Sequence, residues 1–196
     1  MNKVVLYMSM SFDGMISGHD DGPGRGLGVN GEALHAWLSD GGISPGSHRP
    51  GVGVNAEVFD EMMQTGAVIT GRRTFELAGG WGGDHHDGVP VFVLTRQLPD
   101  QPAPGHARYV TELESAVAQA KEAAGDRNVL LHGGSAARAL LDAGLVDELV
   151  IHLVPIILGR GRRLFDDQGH RARNLELVSA TEGADVLHLR YRVVSR

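Results

Sequence analysis

The stretch Val129-Leu130-Leu131-His132-Gly133-Gly134-Ser135-Ala136-Ala137-Arg138-Ala139-Leu140-Leu141 decides how the rest of the chain is read. Its short apolar start has the pattern of a buried strand. Beyond the glycine pair and Ser135, apolar residues at Ala136, Leu140 and Leu141 share one helix face. Gly144 is placed to close that helix in the left-handed conformation. A strand, a glycine pair and a helix in succession leave the N–H groups of the first helical turn free to meet an anion. The same sequence also suits a tight strand-to-helix turn that holds no ligand.

A second passage of this kind lies upstream. Ala67-Val68-Ile69-Thr70 reads as a strand and runs at once into Gly71-Arg72-Arg73-Thr74-Phe75-Glu76. Gly71 allows close approach, Thr74 offers a hydroxyl, and two guanidinium groups supply charge. Arginine on phosphate makes charge-assisted bonds of about 1.5–3 kcal/mol each. Val89 to Leu94 is another strand, and Thr95-Arg96 at its end falls on the same sheet edge as Arg72 and Arg73.

Around these passages, Lys3 to Met10 reads as a central strand that turns at Asp13-Gly14. The Gly/Asp-rich segment Gly18–Gly31 lacks the strand and helix that a dinucleotide fingerprint needs, and reads as a mobile loop beside a site. A short helix follows at Gly31–Leu38, then a Gly/Pro/Ser-rich segment, 40–53. Asn55 is expected to cap a helix over Ala56–Gln64. Gly79–Gly88 reads as a polar surface loop whose adjacent His85 and His86 point apart, so no metal site is expected. Ala107–Val110 is a brief strand, and Thr111 is expected to cap a helix over Glu112–Ala124. Leu149–Pro155 is a strand, followed by a Gly/Arg loop with Arg160, Arg162 and Arg163; Arg171 and Arg173 extend its basic patch. Asn174–Ala180 and Val186–Val193 close the chain as an antiparallel hairpin. Strands alternating with helices give an α/β fold: a mostly parallel sheet, helices on both faces, and an antiparallel hairpin at its edge.

The 196 residues, 42% of them hydrophobic, suffice for one domain with a substantial core. Absence of cysteine excludes disulfides, thiolate catalysis and Cys-bound zinc, and fits a cytoplasmic protein. A net charge of −6 argues against nucleic acid as partner, and no apolar run is long enough to span a membrane.

In this order the elements resemble the dihydrofolate reductase superfamily, and more closely its branch containing the reductase domain of bacterial riboflavin biosynthesis, the RibD C-terminal-like proteins. The resemblance is carried by Ser11-Phe12-Asp13-Gly14, Gly71-Arg72-Arg73-Thr74-Phe75-Glu76, Leu94-Thr95-Arg96, Gly133-Gly134-Ser135, Val146-Asp147-Glu148-Leu149, Pro155-Ile156-Ile157-Leu158-Gly159 and Leu164-Phe165. It covers nearly the whole chain and implies a three-layer fold in a single domain, 1–196, that forms a homodimer, with Pro155–Leu158 as the contact.

The resemblance also implies NADPH as cofactor. Gly71, Arg72, Arg73 and Thr74, with Thr95 and Arg96, would hold its 2′-phosphate side. Gly133, Gly134 and Ser135 would hold the pyrophosphate, and the backbone from Phe12 to Ile16 would line the nicotinamide. The residues agree on their own account, because no acid closely follows Ile69 or Leu94 where an NAD site would place one. Hydride would pass to a C=N or C=O bond of a small heterocycle, pterin-like or a ribosylamino-pyrimidine, whose 5′-phosphate Arg160, Arg162 or Arg163 would meet. Asp13, Glu32 and His132 are the candidate catalytic groups, with His35 a weaker one; His152 and His188 read as sheet residues. Folate reductases carry an acid at the start of the first helix, and Glu32 is the nearest acid here, in a different register. The reading from another class is an NADP(H)-binding sensor or scaffold without turnover.

Overall fold

The computed structural model describes residues 2–39, 50, 52–166 and 172–194. Most of the segment 40–53, and Arg171 of the expected basic patch, lie outside them. The main sheet has eight strands. In spatial order they are β5 (Ala107–Val110), β4 (Val91–Leu94), β3 (Ala67–Gly71), β6 (Val129–His132), β1 (Val4–Ser11), β7 (Glu148–Val154), β10 (Val186–Val194) and β9 (Asn174–Gly183). The six from β5 to β7 are parallel; β10 and then β9 add antiparallel at one edge. A small separate ribbon pairs β2 (Met15–Gly18) with β8 (Gly161–Arg163).

Alternation within the central strands builds two cores, as a sheet covered on both faces requires. Val4 and Leu6 face one way with Ile69, Leu131 and Ile151, under α3 (Leu113–Ala124) and α4 (Gly134–Asp142). Val5 and Tyr7 face the other way with Val68, Leu130 and Val150, under α1 (Gly53–Met63) and α2 (Arg72–Leu77). The result is the three-layer α/β sandwich with a closing antiparallel hairpin that the sequence pattern led us to expect.

Three local readings change. Asn55 does not cap α1, which begins two residues earlier; its side chain is 7% exposed and binds elsewhere. Thr111 is not the cap of α3, because Glu112 holds that position. The hairpin is longer and tighter than expected: β9 continues to Gly183, and Asp185 takes a φ of 56° in a turn of only two residues. Gly144 does close α4. Its φ is +72°, its N–H binds Leu141 O at 3.0 Å, and Leu145 N binds Leu140 O at 2.8 Å, the paired bonds of a Schellman cap.

Candidate functional site

The C-terminal ends of β3, β4 and β6 lie side by side, with Gly71 opposite Leu94 and Thr70 opposite His132. Two strands that turn into helices therefore deliver their first helical residues to one edge, and a cleft of about 1130 Å³ opens there. Ligands of open α/β sheets bind outside such strand ends.

One end of the cleft is the expected phosphate region. Gly71, Arg72, Arg73, Thr74, Thr95, Arg96, Gly133, Gly134, Ser135 and Ile16 all line it. The two glycine passages touch. A Cβ at Gly133, where φ is +88°, would overlap the Thr74 hydroxyl, and one at Gly134 would come within 2.7 Å of Ile16 Cδ1. The N-terminus of the nine-residue α4 thus faces the cleft with Ser135 exposed beside it.

The charges here are partly matched by protein. Arg72 Nε meets Glu76 at 2.7 Å. Arg73 and Arg162 both reach Asp21, at 3.0 and 2.6 Å. Burial raises the Asp21 carboxyl, but the hydrogen bonds and charges of Arg162 and Arg73 outweigh it and hold the group below its ordinary value. Asp21 ties the loop after β2 to this wall, so that loop does lie beside the site; Gly26 and Leu27 line the cleft too. Thr95 gives its hydroxyl proton to Gln97 O at 2.7 Å, which shapes the turn carrying Arg96.

The other end is aromatic and rich in imidazole: Tyr7, Trp37, Trp81, His85, His132 and His152 line it, with His35. Burial first, and then Glu61, raises the Tyr7 phenol, whose hydroxyl donates to Glu61 Oε1 at 3.0 Å. His85 and His86 do not point apart as the sequence suggested. Their Nδ1 atoms are 2.7 Å apart, because the chain around Trp81 folds back onto the sheet edge in left-handed backbone: Gly80, Trp81 and Gly82 have φ of 59°, 50° and 66°. His85 Nε2 then meets His132 Nε2 at 3.1 Å, His132 Nδ1 meets Tyr7 O at 3.2 Å, and His86 Nε2 meets Thr65 O at 3.1 Å. This chain of imidazoles runs from one carbonyl to another. It has four contacts, each needing one proton, whereas three neutral rings carry three. Closing every contact therefore takes one proton beyond neutrality. Burial opposes that charge, pushing His132 down to about 4 and, with help from His132 and His86, His85 down to about 2.

Not every expected residue comes to the cleft. Asp13 does not line it. Its carboxylate accepts from Ser11 Oγ at 2.6 Å, Leu158 N at 3.1 Å and Gly159 N at 2.8 Å, and the Ser11 bond leads in holding it below the usual carboxylate range. Phe12 is 71% exposed and Glu32 is exposed, and neither lines the cleft. Of the loop arginines, Arg162 and Arg163 reach it and Arg160 does not. Sequence reasoning missed His85, Asp21 and His152 as cleft residues. For His152 the signal was there only in register: Ser9, His152 and His188 sit opposite one another across β1, β7 and β10. Among the described residues no group of three or more His, Cys, Asp or Glu is arranged to hold a metal.

A mostly parallel sheet with an antiparallel edge and a nucleotide-sized cleft at its strand ends places the protein among those of dihydrofolate reductase-like fold. The match to the RibD C-terminal domain model runs over residues 2–189, and the chain belongs to that family. No curated protein matches its sequence. Solved structures share the fold at low identity. The putative riboflavin biosynthesis protein of Shewanella sp. PV-4 is 20% identical, with a TM-score of 0.71 over 98% of this chain and 99% of its own. Dihydrofolate reductase from Enterococcus faecalis, complexed with NADP(H) and RAB-propyl, is 13% identical, with a TM-score of 0.61 over 98% and 97%. The deaminase/reductase of Thermotoga maritima is 15% identical at a TM-score of 0.63, and the chain spans 57% of its length.

Proposed function

We propose that the chain is an NADPH-dependent reductase of a small heterocycle, a ribosylamino-pyrimidine or a pterin-like compound, working as one domain over residues 1–196. One observation carries the reading: Arg72 and Arg73 stand beside Gly133, Gly134 and Ser135 along one wall of one cleft. Both kinds of phosphate contact that a phosphorylated dinucleotide needs are thereby offered together.

In this reading Arg72, Arg73 and Arg96 meet the 2′-phosphate, with the hydroxyls of Thr74 and Thr95 beside them. The N–H groups of Gly134 and Ser135 take the pyrophosphate. Ile16, beside Gly134, would pack where the pyrophosphate leads on to the nicotinamide, and the aromatic end of the cleft receives the heterocycle. NADPH supplies the hydride; the protein orients the two rings and excludes water. The accompanying proton is assigned to the chain of His132, His85 and His86. Burial keeps these rings neutral, so one of them exchanges a protein partner for the substrate, gives up its N–H proton, and regains one from water. Asp13 shapes the turn after β1, holding the backbone from Phe12 to Ile16 in place.

A non-catalytic NADP(H) sensor is the second reading. It is favoured by one fact: both ring nitrogens of His132 already have protein partners, while Asp13 and Glu32 stand away from the cleft. Loss of nicotinamide absorbance with a panel of pterins and ribosylamino-pyrimidines tests the choice. Turnover of any member supports the reductase; NADPH binding with no turnover across the panel supports the sensor. Ile157 is 72% exposed, and Phe12, bonded to Ile156 O, is its neighbour in the fold. A second copy of the chain covering these side chains would make the homodimer.

A further inference from the structure

Among the described residues two buried side-chain polar atoms lack a partner, Ser17 Oγ and His152 Nε2, and the second belongs to the aromatic end of the cleft. His152 is 2% exposed and lines the cleft, and its Nε2 is without a hydrogen bond. Its other nitrogen is turned away, toward His188, which does not line the cleft.

The surrounding bonds decide which nitrogen of each ring carries the proton. Asn55 Nδ2 donates to Trp37 O and Ala184 O, both at 3.1 Å, so Oδ1 is the atom that faces His188 Nε2 at 3.0 Å. An amide oxygen only accepts, and His188 Nε2 is therefore N–H. Burial pushes His188 down to about 4, so the ring is neutral and its Nδ1 is a lone pair. His152 Nδ1 lies 2.9 Å from that lone pair and must donate to it. Burial first, then His188, keeps His152 neutral as well, which leaves a lone pair on Nε2. Gly183 makes room for the arrangement, since a Cβ there would overlap Asn55 Oδ1. The order Asn55, His188, His152 thus has one direction, and it ends in an acceptor at the cleft.

A buried acceptor with no donor destabilises the fold unless something in the working state satisfies it. Trp37 stands with its ring centroid 4.5 Å from that of His152, and Tyr7 at 6.3 Å, so the place is walled by flat rings. We propose that His152 Nε2 accepts a hydrogen bond from an N–H of a planar heterocyclic substrate, and that this contact selects rings presenting a donor there over rings presenting a carbonyl. The inference rests on the reading of the cleft as a cofactor and heterocycle site. A carbonyl in that position would set one lone pair against another.

The test uses the full chain with saturating NADP⁺, imidazole ¹⁵N resonances as readout, and two probes. These are 6-aminouracil, which carries N–H donors, and 1,3-dimethyluracil, which has none. The Nε2 resonance of His152 is expected to start as a free lone pair and move toward the hydrogen-bonded position with 6-aminouracil alone. His152→Phe should weaken 6-aminouracil about tenfold, leave NADP⁺ affinity within about twofold, and leave 1,3-dimethyluracil unchanged. His152→Gln, which again offers an acceptor, should recover part of the loss. An Nε2 that is already hydrogen-bonded without probe, fails to respond to 6-aminouracil, or responds equally to both probes overturns the inference, and the wild-type spectra decide this even if a variant does not fold. Failure of NADP⁺ to bind overturns the cofactor reading instead, and is seen separately in the NADP⁺ titration.

Discussion

The carboxylate of Asp13 is taken up by donors of the protein rather than turned to the cleft. Its position just after the first strand made it a candidate proton donor, yet three donors already occupy its oxygens and join the turn after β1 to the Leu158–Gly159 loop. Asp13→Ala should therefore lower stability by about 2 kcal/mol in urea unfolding, with NADPH affinity little changed; loss of binding at full stability would return Asp13 to the site. Arg72→Ala and Arg73→Ala should each weaken NADPH about tenfold or more in calorimetric titration, with little effect on NADH. Both start with part of their charge already held by protein, Arg72 by Glu76 and Arg73 by Asp21, so neither change should reach that of an unpaired guanidinium.

At the scale of elements, strand and helix periodicity made the parallel sheet and both glycine passages legible, since buried runs and one-sided helices follow from local composition alone. The caps were less legible. Asn55 has the right chemistry for the start of α1, but its amide is claimed by Trp37 O, Ala184 O and His188, groups 18 to 133 residues away along the chain. The His85–His86 loop was misread for a similar reason, because only the left-handed backbone around Trp81 turns it onto the sheet edge. Where an element end depends on local geometry alone, the expectation held, and it can be tested. Gly144→Ala should destabilise by about 1 kcal/mol, because alanine resists the φ of +72° that closes α4. No loss on chemical unfolding would contradict the cap.

For the whole molecule, burial of neutral imidazole sets the response to acid. His188 and His132 have folded values of about 4, His85 one of about 2 and His152 one well below 6.5, whereas in the unfolded chain each titrates near 6.5. Between those values the unfolded state binds more protons than the folded one. Stability is thus fully present above about pH 6.5 and is lost as pH falls, at up to about 1.4 kcal/mol per pH unit for each histidine, with the His188 contribution levelling off below about 4. Urea midpoints measured from pH 7.5 to 4.5 should fall accordingly, and His188→Gln should flatten the slope; a flat wild-type profile would contradict neutral burial. The molecule's central feature is still the meeting of two strand–glycine–helix passages in one cleft. Calorimetric titration of the wild-type chain with NADPH and with NADH tests it most directly. The account predicts that NADPH binds at least tenfold more tightly and that the preference disappears in Arg72→Ala/Arg73→Ala/Arg96→Ala; equal affinities in the wild type, or no binding of either nucleotide, would contradict it.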